Sequence, residues 1–253
     1  MPHKQAYPLP AKAPPGHPLF DIIAAAYRIF AYPKPDNVEV CTKCCMEAHI
    51  AADFFNPAIE ELPLEYIQDW YSAAYDPKGI TKGTWGYLLP RVMELLAAEQ
   101  DISPVGIELS LNRFDTGNPD NWSGEEWSVL DEFQRMLTMH KLAYSSDPLD
   151  DVLCMFRLAG WSLTDLLDQI RSFPDADLAQ RLWYDWCYGR APGQESMWFT
   201  AFWRTPDKKT VHDFFVSPEL YNRMETLALA DGTTSELAAK ASAVADLIEV
   251  SAY

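Results

Sequence analysis

Cys41, Cys44, Cys45 and His49 form the tightest group of reactive side chains in the chain, spaced C-x2-C-C-x3-H. Two thiolates in a C-x2-C turn present both sulfurs to one side, as a tetrahedral zinc requires. If a helix began near Cys45, His49 would stand one turn further along the same face and could complete the shell. Zinc sites normally take their second ligand pair from a distant segment, and the remaining cysteines, Cys154 and Cys187, are isolated within helix-like patterns. The expectation is therefore a turn of small, soft side chains packed under the first helices, with zinc as the rival reading. No other cofactor is expected, and without a βαβ pattern around the cysteines a redox pair is disfavoured.

A second set of candidates is aromatic. Trp183, Trp186, Trp198 and Trp203, with Arg204 beside them, lie in the dense stretches WYDW and WFTAFWR. Neighbouring positions on a helix point in different directions, so these rings cannot all face one core, and some are expected to line a ligand pocket or a partner face. A helical magnesium site needs carboxylates at i, i+1 and i+4; Cys154 occupies the last place after Asp150 and Asp151, so a solvated helix N-terminus is expected for Asp147, Asp150 and Asp151. His140 falls on the apolar face of its helix pattern and is expected as a hydrogen-bonded core residue. There is no H-E-x-x-H, phosphate loop or nucleophile elbow, so no catalytic residue is assigned.

The elements that position these residues read as helices. Ser103-Pro104, Asp147-Pro148, Thr205-Pro206 and Ser217-Pro218 each place a capping side chain before a proline that tolerates the first helical position. Ser123 with Glu126 and Thr233 with Glu236 have capping-box spacing. Helical stripes follow, among them Phe20-Ile23-Tyr27-Phe30, Tyr66-Ile67-Trp70-Ala74, Trp127-Leu130-Phe133-Leu137 and Leu237-Ala241-Val244-Ile248. Leu88 to Ala98 reads as a helix with Pro90 early in it or at a kink. Val38 to Val40 could pair briefly as a strand. The predicted fold is all-α, an irregular array or bundle of about ten helices. Residues 1–18, rich in proline, read as an extended arm; residues 19–253 read as one helical domain, with Tyr144 to Pro148 the seam if it has two lobes.

Composition narrows the partners. A hydrophobic content of 48% in 253 residues supports a sizeable core, and 13% aromatics excludes a disordered acidic tail. The net charge of -17 disfavours nucleic acid and anionic membranes and favours a protein with a basic surface. No apolar run suits a membrane span, no secretory signal is expected, and the odd cysteine count favours a cytoplasmic location.

Tyr32-Pro33, Cys41-Thr42-Lys43-Cys44-Cys45, Leu62, Tyr66, Tyr87-Leu88-Leu89-Pro90-Arg91, Trp122 with Glu125-Glu126, and Phe202-Trp203 together resemble a family of uncharacterised bacterial all-helical proteins. The resemblance implies a helical protein and carries no activity, cofactor or catalytic residue. Two function classes follow from the residues. The favoured one is an acidic protein-interaction module of adaptor or toxin-neutralising type. The alternatives are an enzyme with a small-molecule pocket in the aromatic-rich C-terminal half, and a structural zinc-binding protein built on the cysteine turn.

Overall fold

The structure, a computed structural model, describes residues 12–43, 45–75, 77–143, 146–190 and 195–252. Among the described residues the fold is all-α, with eleven α-helices, three short 3-10 turns and no strand. The helices are α1 (Phe20–Ile29), α2 (Ala48–Asp53), α3 (Leu64–Ser72), α4 (Lys82–Ala97), α5 (Gly124–Ala143), α6 (Leu149–Leu158), α7 (Leu163–Arg171), α8 (Asp175–Trp186), α9 (Asp207–Phe215), α10 (Pro218–Leu229) and α11 (Ser235–Ser251). None of the described helices is long and apolar enough to cross a membrane. The brief pairing expected at Val38–Val40 is a single antiparallel bridge between Val40 and Tyr75. Of the expected arm, residues 1–11 lie outside the described residues. Residues 12–18 are not extended throughout: His17 donates to the Pro14 carbonyl at 2.9 Å, and Ala13 is buried.

The chain divides into two compact units, one running through Leu137 with Leu158–Gly160 added, the other formed by Thr138–Arg157 and the chain from Trp161 onward. The division thus falls within α5; the seam expected at Tyr144 to Pro148 includes Tyr144 and Ser145, which lie outside the described residues.

Unit 1 is centred on α4. Thr81 caps this helix by accepting the Thr84 amide, and Glu39 in turn binds both the Thr81 amide (2.7 Å) and its hydroxyl (2.8 Å). The helix starts one and a half turns before the expected Leu88, because burial of Trp85 against Trp70 outweighs the poor helix propensity of Gly83 and Gly86. Each such ring removed from water contributes about 1.5–3 kcal/mol. Gly86 has a further reason: a Cβ there would lie 2.7 Å from the Tyr32 ring, which closes over the helix. Pro90 sits in the helix interior.

Several capping expectations needed correction. Ser103-Pro104 starts no helix; the Ser103 hydroxyl accepts the Val105 amide in a local turn, a competing use of serine side chains. α9 begins at Asp207 with no side-chain cap, and the Asp207 carboxylate binds Arg157 at 2.6 Å. The α11 cap is Thr234, which accepts the Leu237 amide, one residue beyond the expected Thr233. Ser217 caps α10, and Ser123 with Glu126 forms the reciprocal box at 3.2 and 2.8 Å. The buried stripe of α1 runs through Ile22, Ile23 and Ala26, leaving Phe20 at the surface. Similarly, Tyr71 and Ala73 are buried in place of the expected Ala74.

Unit 2 contains the α10–α11 hairpin, whose inner stripe of Ala241, Val244, Ala245 and Ile248 is buried, and α11 also packs on α8. α8 buries Leu178, Ala179, Arg181, Leu182 and Trp186 and turns Gln180, Trp183 and Tyr184 toward its other side.

Candidate functional site

The cysteine turn is only partly visible. Cys44 lies outside the described residues. Cys41 and Cys45 are half-buried, and the Cys41 amide donates to the Ala74 carbonyl at 2.7 Å. α2 starts at Ala48, after Glu47 in an extended conformation, so Cys45 and His49 do not share a helical face. His49 is exposed, with Nδ1 3.2 Å from Glu47 Oε2. Among the described residues no three His, Cys, Asp or Glu side chains come together as a metal shell.

The four tryptophans separate. Trp186 is buried edge-on against Phe215. Trp203 is buried and donates its indole N–H to Asp150 Oδ1 at 2.7 Å. Trp198 is 51% exposed, and Arg204 is exposed. Trp183 is half-buried on α8.

Asp150 corrects the expectation of a solvated helix start. It is buried, and its second oxygen accepts the Thr200 amide at 2.6 Å, so the carboxylate ties the irregular segment 195–206 to α6. Asp147 pairs with the buried Lys141 ammonium at 2.6 Å. The first amide of α6, that of Leu149, donates to Asp185 Oδ2 from α8 at 3.1 Å. Arg181 holds that carboxylate through two N–H groups. Burial pushes the Asp185 carboxyl upward despite Arg181 and the Leu149 amide.

Around Trp183 the rings assemble into a ridge that sequence reasoning named only in part. The α8 helix ends at Trp186, and the amides of Cys187 and Tyr188 both return to the Trp183 carbonyl. Gly189, at a φ of 71°, turns the chain away in a conformation favouring glycine. Tyr188 thereby folds back, stacking on Tyr184 at 4.9 Å and meeting Trp183 edge-on at 5.7 Å. Two cations brace the rings: the Arg181 guanidinium lies 4.9 Å from the Tyr184 centroid and Lys240 Nζ 5.0 Å from that of Trp183. Lys240 is itself held by Glu236 at 2.7 Å.

Tyr184 and Tyr188 nonetheless remain 45% and 60% exposed. Beside them opens a cleft of about 360 Å³ lined by Leu142, Ala143, Gln180, Arg181, Trp183, Tyr184 and Lys240. The lining pairs flat apolar rings with an amide and two cations held by carboxylates. That chemistry binds and orients; it contains no nucleophile paired with a base. Tyr184 stands in the sequence only as part of WYDW, and Tyr188 carries no periodic signal because it lies beyond the helix end.

Comparison of the chain with protein-family models, with curated proteins and with solved structures finds no match in any of the three.

Proposed function

We propose that this chain is a protein-interaction module of adaptor type, which anchors a partner on the ridge of Trp183, Tyr184 and Tyr188. The observation that carries this reading is the pair of exposed, stacked tyrosines beside an open cleft, Tyr184 braced by Arg181 and Tyr188 by the rings of Tyr184 and Trp183. Tyrosine, tryptophan and arginine dominate the energetics of protein interfaces, and pre-set rings lose little entropy on binding. The net charge of -17 supports a partner with a basic surface, drawn in by long-range attraction. An enzyme built on one pocket lined by all four tryptophans has less support, since Trp186 and Trp203 are core residues.

Affinity capture with the wild-type chain, the Tyr184→Ala/Tyr188→Ala variant and Met139→Ala as an exposed control tests the proposal. A basic partner retained by the wild type and by the control but lost by the ridge variant, with unchanged circular dichroism, is the expected result. Salt should slow its capture, because the screening length shortens from about 10 Å at 0.1 M to about 3 Å at 1 M. An acidic partner, or one that the ridge variant retains fully, would refute the proposal.

A further inference from the structure

α11 carries a second stripe besides the one it buries. Lys240, Ala243, Leu247 and Val250 recur at intervals of three and four and so lie along one face. Lys240 belongs to the cleft beside the aromatic ridge. Ala243, Leu247 and Val250, together with Asp246 and with Glu195 from the segment before α9, line a separate open groove of about 330 Å³. Val250 is 75% exposed there. From Lys240 to Val250 the stripe extends about 15 Å at the helical rise.

Two of the five residues lining this groove, Asp246 and Glu195, are acidic. On the neighbouring helix α10, the Tyr221 hydroxyl donates to Glu225 at 3.0 Å. That hydrogen bond, with the nearby carboxylates of Glu249 and Asp246, pushes the Tyr221 phenol upward. Apolar and acidic lining residues call for an occupant with the inverse pattern. A second copy of the chain does not fit, since each copy brings the same acids and a charge of -17.

We propose that the α11 groove receives a basic amphipathic helix of the partner protein, its apolar side chains against Ala243, Leu247 and Val250 and its lysines or arginines against Asp246 and Glu195. This is a helix-in-groove mode, in which anchors one turn apart supply affinity and flanking charges supply register. The inference rests on the interaction reading above and names the chemistry of the partner.

The probe is a fluorescent peptide of about five turns with leucine at i, i+4, i+7 and i+11 and lysine elsewhere. Its controls are a scrambled peptide of the same composition and one with glutamate in place of lysine. Fluorescence anisotropy should show at least tenfold tighter binding of the patterned peptide than of either control. Asp246→Lys and Val250→Lys, both at exposed positions, should each weaken it at least tenfold, and Met139→Ala should leave it unchanged. Equal binding of the scrambled peptide, or indifference to both groove variants, would overturn the inference. So would sedimentation as a dimer that Val250→Lys splits, because the occupant would then be a second copy. A captured partner that depends on Tyr184 and Tyr188, combined with failure of the patterned peptide, sinks the groove alone. Peptide binding combined with a partner indifferent to the ridge sinks the ridge alone.

Discussion

The two units put cations and aromatic rings to different uses. In unit 1 they close on each other. Arg113 lies 5.9, 4.6 and 4.2 Å from the rings of Trp70, Tyr71 and Tyr75 and donates to the Tyr71 carbonyl. Lys82 lies over Trp122 and Tyr32, while the Tyr32 hydroxyl donates to Glu126 at 2.5 Å. Arg91, fully buried, binds the Leu62 carbonyl at 3.0 Å and Glu94 at 2.7 Å, and Glu94 also accepts the Tyr27 hydroxyl at 2.7 Å. In unit 2 Arg171 covers the buried Phe214 ring at 5.0 Å, whereas Arg181 braces Tyr184, which stays at the surface. Of the described large apolar side chains at the surface, Phe20, Tyr75 and Val105 belong to unit 1, whereas Met139, Tyr184, Tyr188, Trp198, Leu229 and Val250 belong to unit 2. The contrast teaches that cation–π contacts by themselves do not mark a site; the exposure they leave does.

The contrast breaks most visibly at Arg91. Arg91→Ala should destabilise the chain by about 3–5 kcal/mol in denaturant titration, because Glu94 is left buried without its cation. Arg91→Met with Glu94→Leu should recover much of that loss, since a buried pair replaced by apolar groups of similar size is often neutral. If the single and double variants cost the same, the pair is not what holds α4.

Asp150→Ala tests a place where unit 2 turns a charge inward. It removes the acceptor of both the Trp203 indole and the Thr200 amide, at about 1–3 kcal/mol for each donor stranded. The Trp203 fluorescence should shift to the red as segment 195–206 loosens. Gly86→Ala should cost about 1–3 kcal/mol through overpacking on the Tyr32 ring, which Glu126 prevents from swinging aside. Adding Tyr32→Ala should remove that penalty in a double-mutant cycle.

A smaller effect concerns acid. Burial acts to raise the Glu126 carboxyl, but the Ser123 amide, the Tyr32 hydroxyl and the Lys82 ammonium outweigh it and hold the carboxyl below its ordinary range. The folded chain therefore binds this proton less readily than the unfolded chain does. The stabilisation is complete above the unfolded value of about 4.3 and is lost as pH falls through the lower folded value. Glu126→Gln should flatten the acid limb of a melting-temperature profile taken from roughly pH 6 to pH 3. Smallest of all, Tyr188→Ala should change stability by less than about 0.5 kcal/mol, as an exposed ring does, even though it weakens partner capture. A large stability loss there would move the ridge into the same class as the Arg113 cage.

Local chemistry is legible in the residues themselves. The capping box at Ser123 and Glu126, the cap at Ser217 and the buried stripe of α11 follow from side chains within one or two turns of each other, where spacing alone sets geometry. The all-helical class follows from the sum of such signals. Among residues that carry the sequence resemblance, Tyr32 bonds Glu126 and Arg91 bonds the Leu62 carbonyl inside unit 1, relations no spacing reveals. The start of α6 is similar: Lys141 engages Asp147, and Asp185 reaches in from α8 to accept the Leu149 amide. Burial of Asp150 and exposure of Tyr188 were equally out of reach. What decides them is which distant groups arrive at the same point, and hydrophobic patterning is blind to that when the arriving group is a single indole N–H or a ring folded back past a glycine. Periodicity determined that helices form and, for α11, which stripe is buried. Only the tertiary structure decided which carboxylates became internal ties and which aromatic rings stayed at the surface, because both depend on desolvation and pairing between segments tens of residues apart.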